Sequence, residues 1–158
     1  MQDHALKRNI ERDKVILFKK NMKTQEKINE KITILESAIM RLSEACDIDP
    51  TGQRIIIDGT IQRFEFSFDL FWKTLKDIFQ ARGADVQFPK DVLKAAYQGS
   101  LISDSKIYID MLFDRNESSH IYDLYNADRI YSNIKTIYLP LLLHDMNSIK
   151  GRFYKHIS

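Results

Sequence analysis

The sequence has a single cysteine, Cys46, in 158 residues. One thiol cannot close an internal disulfide, so nothing here points to an oxidising compartment. The four histidines stand at 4, 120, 144 and 156 and have no second cysteine to join. That excludes a His/Cys cluster at zinc spacing, and no metal or cofactor is expected. There is no Gly-rich phosphate loop. There is also no Gly-Ser pair followed by spaced aspartates, so the chain is not expected to transfer nucleotides itself. No apolar run reaches the length of a membrane span. The run Val15-Ile16-Leu17-Phe18 is too short for a signal peptide and is followed by Lys19-Lys20, which makes the cytoplasm the expected location. A large excess of charge is missing too: the formal net charge is +2. Composition therefore does not argue for nucleic acid, although a local basic surface would be hidden in that sum.

Glycine and proline are scarce, 5 and 3 in the whole chain. Few turn formers between long helix-period patterns imply an all-α, up-and-down antiparallel helical bundle of four to five main helices plus an N-terminal extension. Residues 1–23 are expected to form that extension, residues 24–150 the bundle and residues 151–158 a tail. The extension reads as a solvated or frayed helix, or as a basic arm touching RNA phosphates. Ile28, Ile32, Leu35, Ile39 and Leu42 step by four and three, predicting a helix over about 24–46. Ile57, Ile61, Phe64, Phe68, Phe71, Leu75 and Ile78 do the same over about 54–81. Phe66 and Trp72 lie off that stripe. Burial against another helix is the preferred reading for them, with a subunit interface as the other. The acidic residues of these two helices read as solvated faces. Gly83 suits a helix stop, and Pro89 opens a short helix running to about Gly99. Ser103 or Asp104 caps the next. Ser118 or Ser119 is expected to cap a last long helix over about 120–147, with Leu124, Ala127, Ile130 or Tyr131, Ile134, Ile137 and Leu141 on its apolar face. Pro140 inside it predicts a kink, or an early end with a restart.

One stretch carries candidate chemistry: Asp114-Arg115-Asn116-Glu117-Ser118-Ser119-His120-Ile121-Tyr122. With nine Arg and four His in the chain, Arg-x4-His arises by accident roughly one time in four. A Tyr two residues on brings the odds to the order of one in a hundred, so only the full pattern is specific. Arg115 follows Met111 and Leu112 at helical spacing and points toward their seam. There it either staples two helices through a carboxylate or meets a phosphate with its planar fork. A His120 at a helix start would be held neutral by the dipole and could accept a proton.

From Asp58-Gly59-Thr60 onward the chain resembles the nucleotidyltransferase substrate-binding protein family, a branch of the HEPN superfamily that includes HepT-like toxins. The matching pieces run from Asp58 through Arg63-Phe64-Glu65 to Asp69, then Leu70-Phe71-Trp72-Lys73. Phe88-Pro89-Lys90-Asp91, Asp114-Arg115-Asn116 and Ser119-His120-Ile121-Tyr122-Asp123 complete the set. The resemblance spans roughly 30–147 and implies a homodimer that cleaves RNA without metal. Arg115 and His120 are then the catalytic pair, with Asn116 and Asp114 supporting. It further implies a toxin–antitoxin pair in which a minimal nucleotidyltransferase transfers AMP to Tyr122. The alternative is a non-catalytic substrate-binding subunit of a two-component nucleotidyltransferase.

Overall fold

The computed structural model describes residues 2–118 and 123–157, and every regular element in them is helical. In order these are α1 (Gln2–Cys46), α2 (Arg54–Ala81), α3 (Pro89–Gln98), α4 (Ser105–Glu117), α5 (Leu124–Asn133) and α6 (Leu139–Phe153). A π-helical turn, Ile134–Tyr138, joins the last two into one rod. The architecture is an all-α antiparallel bundle.

The stripes read from the sequence form the core. Ile32, Leu35, Ile39 and Leu42 of α1 and Ile61, Phe64, Phe68, Phe71, Leu75 and Ile78 of α2 are all buried. Their four-and-three spacing keeps each set on one side of its helix, so α1 and α2 pack along their length. Thr60, Ser67 and Thr74 recur every seven residues on α2 and are buried as well. Each hydroxyl donates to the carbonyl four residues back, which satisfies it without a cross-helix partner. Gly83, at φ +83°, lets the chain turn after α2. Asp104 caps α4 by accepting from the Ile107 N–H. Ser103 instead gives its N–H and hydroxyl to buried Asp145 on α6, which also accepts from Tyr108 Oη at 2.9 Å.

Several expectations need correction. Residues 2–23 are one uninterrupted helix with the rest of α1, and residues 3–21 are exposed. Phe66 is 59% exposed rather than buried, whereas Trp72 is half-buried against the core. The last rod starts later than expected: Asp123, not Ser118 or Ser119, is its cap, accepting from the N–H groups of Tyr125 and Asn126. Ser118 belongs to the end of α4, where its hydroxyl donates to the Arg115 carbonyl. At Pro140 the helix does not end and restart: Ile134–Tyr138 runs directly into Leu139–Phe153. The π turn just before the proline relieves the clash with the carbonyl one turn back. The turn also inserts one residue into the α-helical period, so Tyr138 and Leu142 face the core, while Ile137 is left 42% exposed. At the C-terminus α6 runs on to buried Phe153, and Asn29 of α1 grips Lys155 through both its backbone groups.

Candidate active site at the α4–α5 junction

Arg115 stands in the last turn of α4, where a cation is favoured by the helix dipole. Its side chain reaches α2. Nε donates to Asp69 Oδ1 at 3.1 Å and Nη2 to Asp69 Oδ2 at 2.9 Å, a two-pronged fork. Glu65, one helical turn before Asp69, lies 3.4 Å from Nη1. The hydrogen bond to Asp69 is the main cause that raises the Arg115 pKa, so the guanidinium is cationic at every working pH. Glu65 and Asp69 are therefore not solvated faces, which corrects the sequence expectation. The signal was present: two carboxylates at i and i+4 present one acidic edge, and Arg115 is the cation that α4 brings to it.

The pairing does not bury Arg115. Its side chain is 28% exposed and sits on a ridge between two openings. On one side is a groove of about 740 Å³ between α1 and α2, lined among others by Arg41, Arg63, Glu65, Phe66 and Asp69. On the other is a smaller hollow of about 320 Å³, lined by Trp72, Lys73, Leu112 and Asn116. A guanidinium has five N–H donors; Asp69 engages two of them and Glu65 faces Nη1, which leaves the others at the rim of the two openings.

Asp114, the neighbour of Arg115, points the other way and is 2% exposed. Arg129 of α5 donates to both of its oxygens, at 2.8 and 3.3 Å, and Tyr138 Oη donates at 2.5 Å. Asn133 adds a longer contact at 3.4 Å. Burial and this bond push the Tyr138 phenol well above its ordinary range, so it stays a donor. The network bolts α5 and the π turn onto α4, and so fixes both ends of the segment between Ser118 and Asp123. His120 and Tyr122 belong to that segment and lie outside the described residues. The first described helix after that segment, α5, starts at Leu124. Arg129, Asn133 and Tyr138 were missed in the sequence because their link to Asp114 depends on how the last rod packs against α4, 15 to 24 residues away along the chain.

Residues 30–150 match the family model described as nucleotidyltransferase substrate binding protein like. The chain belongs to this family. One relative, the "Probable ribonuclease HepT" of Haemophilus influenzae, is 31% identical over 108 residues, covering 63% of this chain and 74% of the relative. A crystal structure of a protein from Thermus thermophilus superposes with a TM-score of 0.63 at 29% identity, covering 77% of this chain and 99% of that one. A second solved structure, from Haemophilus influenzae, is described as the fold of a substrate binding domain of a nucleotidyltransferase. It superposes at 0.57 with 25% identity over 80% of this chain and 98% of its own. The α4–α5 junction lies inside the family match, whereas the first 29 residues lie outside it. Among the described residues no helix is long and apolar enough to cross a membrane.

Proposed function

We propose that this protein is a HepT-like toxin, a metal-independent endoribonuclease that works as a homodimer. The observation that carries the reading is Arg115 held on a groove wall, at the head of an intact Arg-x4-His-x-Tyr pattern, in a chain 31% identical to a HepT ribonuclease. In this reading Arg115 turns its remaining N–H groups to the crowded phosphate, and His120 takes the 2′-hydroxyl proton. The oxygen so activated attacks the adjacent phosphorus, the bond to the 5′-oxygen breaks, and His120 of a second copy protonates that leaving oxygen. The products are a 2′,3′-cyclic phosphate and a free 5′-hydroxyl. Incubation with RNA in EDTA tests it: wild type should cut and His120→Ala should not. Uncut RNA with wild type would remove the ribonuclease reading.

The dimer has a matching surface. Phe66 and Ile34, 59% and 43% exposed, both line the larger groove. Large apolar side chains beside a working cleft are typical interface anchors. Phe66→Glu should convert a dimer to monomers in light scattering and abolish cleavage with it. A dimer unchanged by the substitution would place the interface elsewhere.

A nucleotidyltransferase partner follows from the family, and we assign Tyr122 as the residue that receives AMP from it. The phenol oxygen attacks the α-phosphorus of ATP, and pyrophosphate leaves. Peptide mass spectrometry after incubation with ATP, magnesium and a minimal nucleotidyltransferase partner should find an added AMP on Tyr122. An adduct on Tyr125 alone would refute that assignment. A second reading is favoured by the two carboxylates on Arg115: a non-catalytic subunit in which this arginine is a helix staple. It predicts no cleavage by wild type.

A further inference from the structure

The charge of this chain is unevenly placed. Residues 3–23 hold seven Lys and Arg against three carboxylates, an excess of four, while the whole chain is only +2. The rest of the molecule is thus net negative. This segment is the exposed half of α1, outside the family match, and it extends the helix beyond the core stripe that begins near Ile28.

Helix geometry sorts these charges. At 3.6 residues per turn, Arg8, Arg12, Lys19 and Lys23 fall within an arc of about 60° and span about 22 Å along the axis. The three carboxylates lie off this arc, and two of them are occupied: Asp3 pairs with Lys7 and Glu11 with Lys14. The paired lysines are off-stripe ones. Among the described residues none of the four stripe cations has a carboxylate partner, and Arg8 donates only to the His4 carbonyl. The stripe ends where Glu26 and Glu30 take over the same side of the helix. Leu6, Ile10 and Leu17 are exposed on roughly the opposite side of the helix, and Val15 and Ile16 are exposed at the two edges of the stripe. The four unpaired cations recur over about 22 Å of one face, a row that suits a regularly spaced polyanion.

We propose that Arg8, Arg12, Lys19 and Lys23 form an arm that binds the phosphate backbone of single-stranded RNA. The choice of RNA rests on the ribonuclease reading; the site itself does not. The arm extends the substrate footprint beyond the Arg115 groove. It contributes affinity without sequence preference, since phosphates carry no sequence.

The test is a binding titration of the full chain carrying His120→Ala, so that the probe stays intact. The probe is a labelled single-stranded RNA of about 20 nucleotides, at salt from about 50 to 200 mM. Two triple variants remove the same charge from different faces: R8Q/R12Q/K19Q from the stripe and K7Q/K14Q/K20Q from its flanks. Circular dichroism confirms that both keep their helix. The stripe variant should bind at least about tenfold more weakly, and its slope of log affinity against log salt should be shallower by about 2. The flank variant should lose less than about threefold. Equal losses, or an unchanged slope in the stripe variant, overturn the proposal. So does unchanged RNA binding combined with lost association of a purified minimal nucleotidyltransferase partner, which would assign the stripe to an acidic protein. Should wild type cut no RNA while the stripe variant still loses binding, the ribonuclease reading fails and the arm stands.

Discussion

Arg115→Ala should lower RNA cleavage by about 10²–10³-fold, the usual loss when one donor to a developing phosphate or oxyanion charge is removed. Stability should fall far less. The Arg115–Asp69 pair is about a third exposed on both sides, so solvent screening holds its worth to about 1 kcal/mol. In a domain of this size that is a shift of about 2–4 °C in Tm. Large loss of rate with small loss of Tm separates a phosphate-binding arginine from a helix staple, which would lose stability and have no rate to lose.

Asp69→Asn sharpens the comparison. The amide keeps one acceptor for the fork and the guanidinium keeps its charge, but the orientation is held less firmly. If Asp69 acts by aiming Arg115, cleavage should fall by about tenfold, chiefly in the rate at saturating RNA, while affinity hardly changes. A rate unchanged in Asp69→Asn would remove Asp69 from the site. Cleavage unchanged in Arg115→Ala, measured in single turnover alongside thermal melts, would remove the arginine itself and with it the proposed mechanism.

The parts of the fold that the sequence announced are those written in side-chain period. The stripes of α1 and α2 pack as their spacing requires, because burying one face of a long helix admits few arrangements. Asp104, Gly83 and Pro89 act locally, and local geometry can be read from neighbours in the chain. The errors came where tertiary contacts decide. Ser118 and Ser119 have good capping chemistry, yet Asp123 is the cap, since the α4–α5 network fixes where the rod starts. Ile137 fits an α-helical face only if no residue is inserted, and the π turn inserts one. Arg115 was legible as a residue in need of a partner, but the choice between carboxylate and phosphate was not. Its partner comes from a helix 46 residues away in sequence. Phe66 shows the same limit from the other side: one exposed aromatic cannot be told from a buried one until the neighbouring helices are placed.

Asp114→Asn should be the most destabilising single change at this site, by about 2–4 kcal/mol or roughly 5–15 °C in Tm. The carboxylate is 2% exposed and receives Arg129 and Tyr138 together. An amide there keeps shape but loses the charge, and its NH₂ faces donors that need acceptors. The cost stays below that of a fully buried pair because the Arg129 side chain is 38% exposed and can turn to water. Tyr138→Phe, which removes one donor and leaves the ion pair, should cost about 1 kcal/mol. The function argued for the network adds a second readout. If it fixes both ends of the segment that carries His120, Asp114→Asn should cut RNA more slowly than wild type well below its own melting temperature, and the combined variant Asp114→Asn with Arg129→Met should be less than additive in both stability and rate. Full rate at low temperature with a lowered Tm would make the network a brace for the bundle alone. An unchanged Tm would mean that Asp114 carries no such weight in the fold.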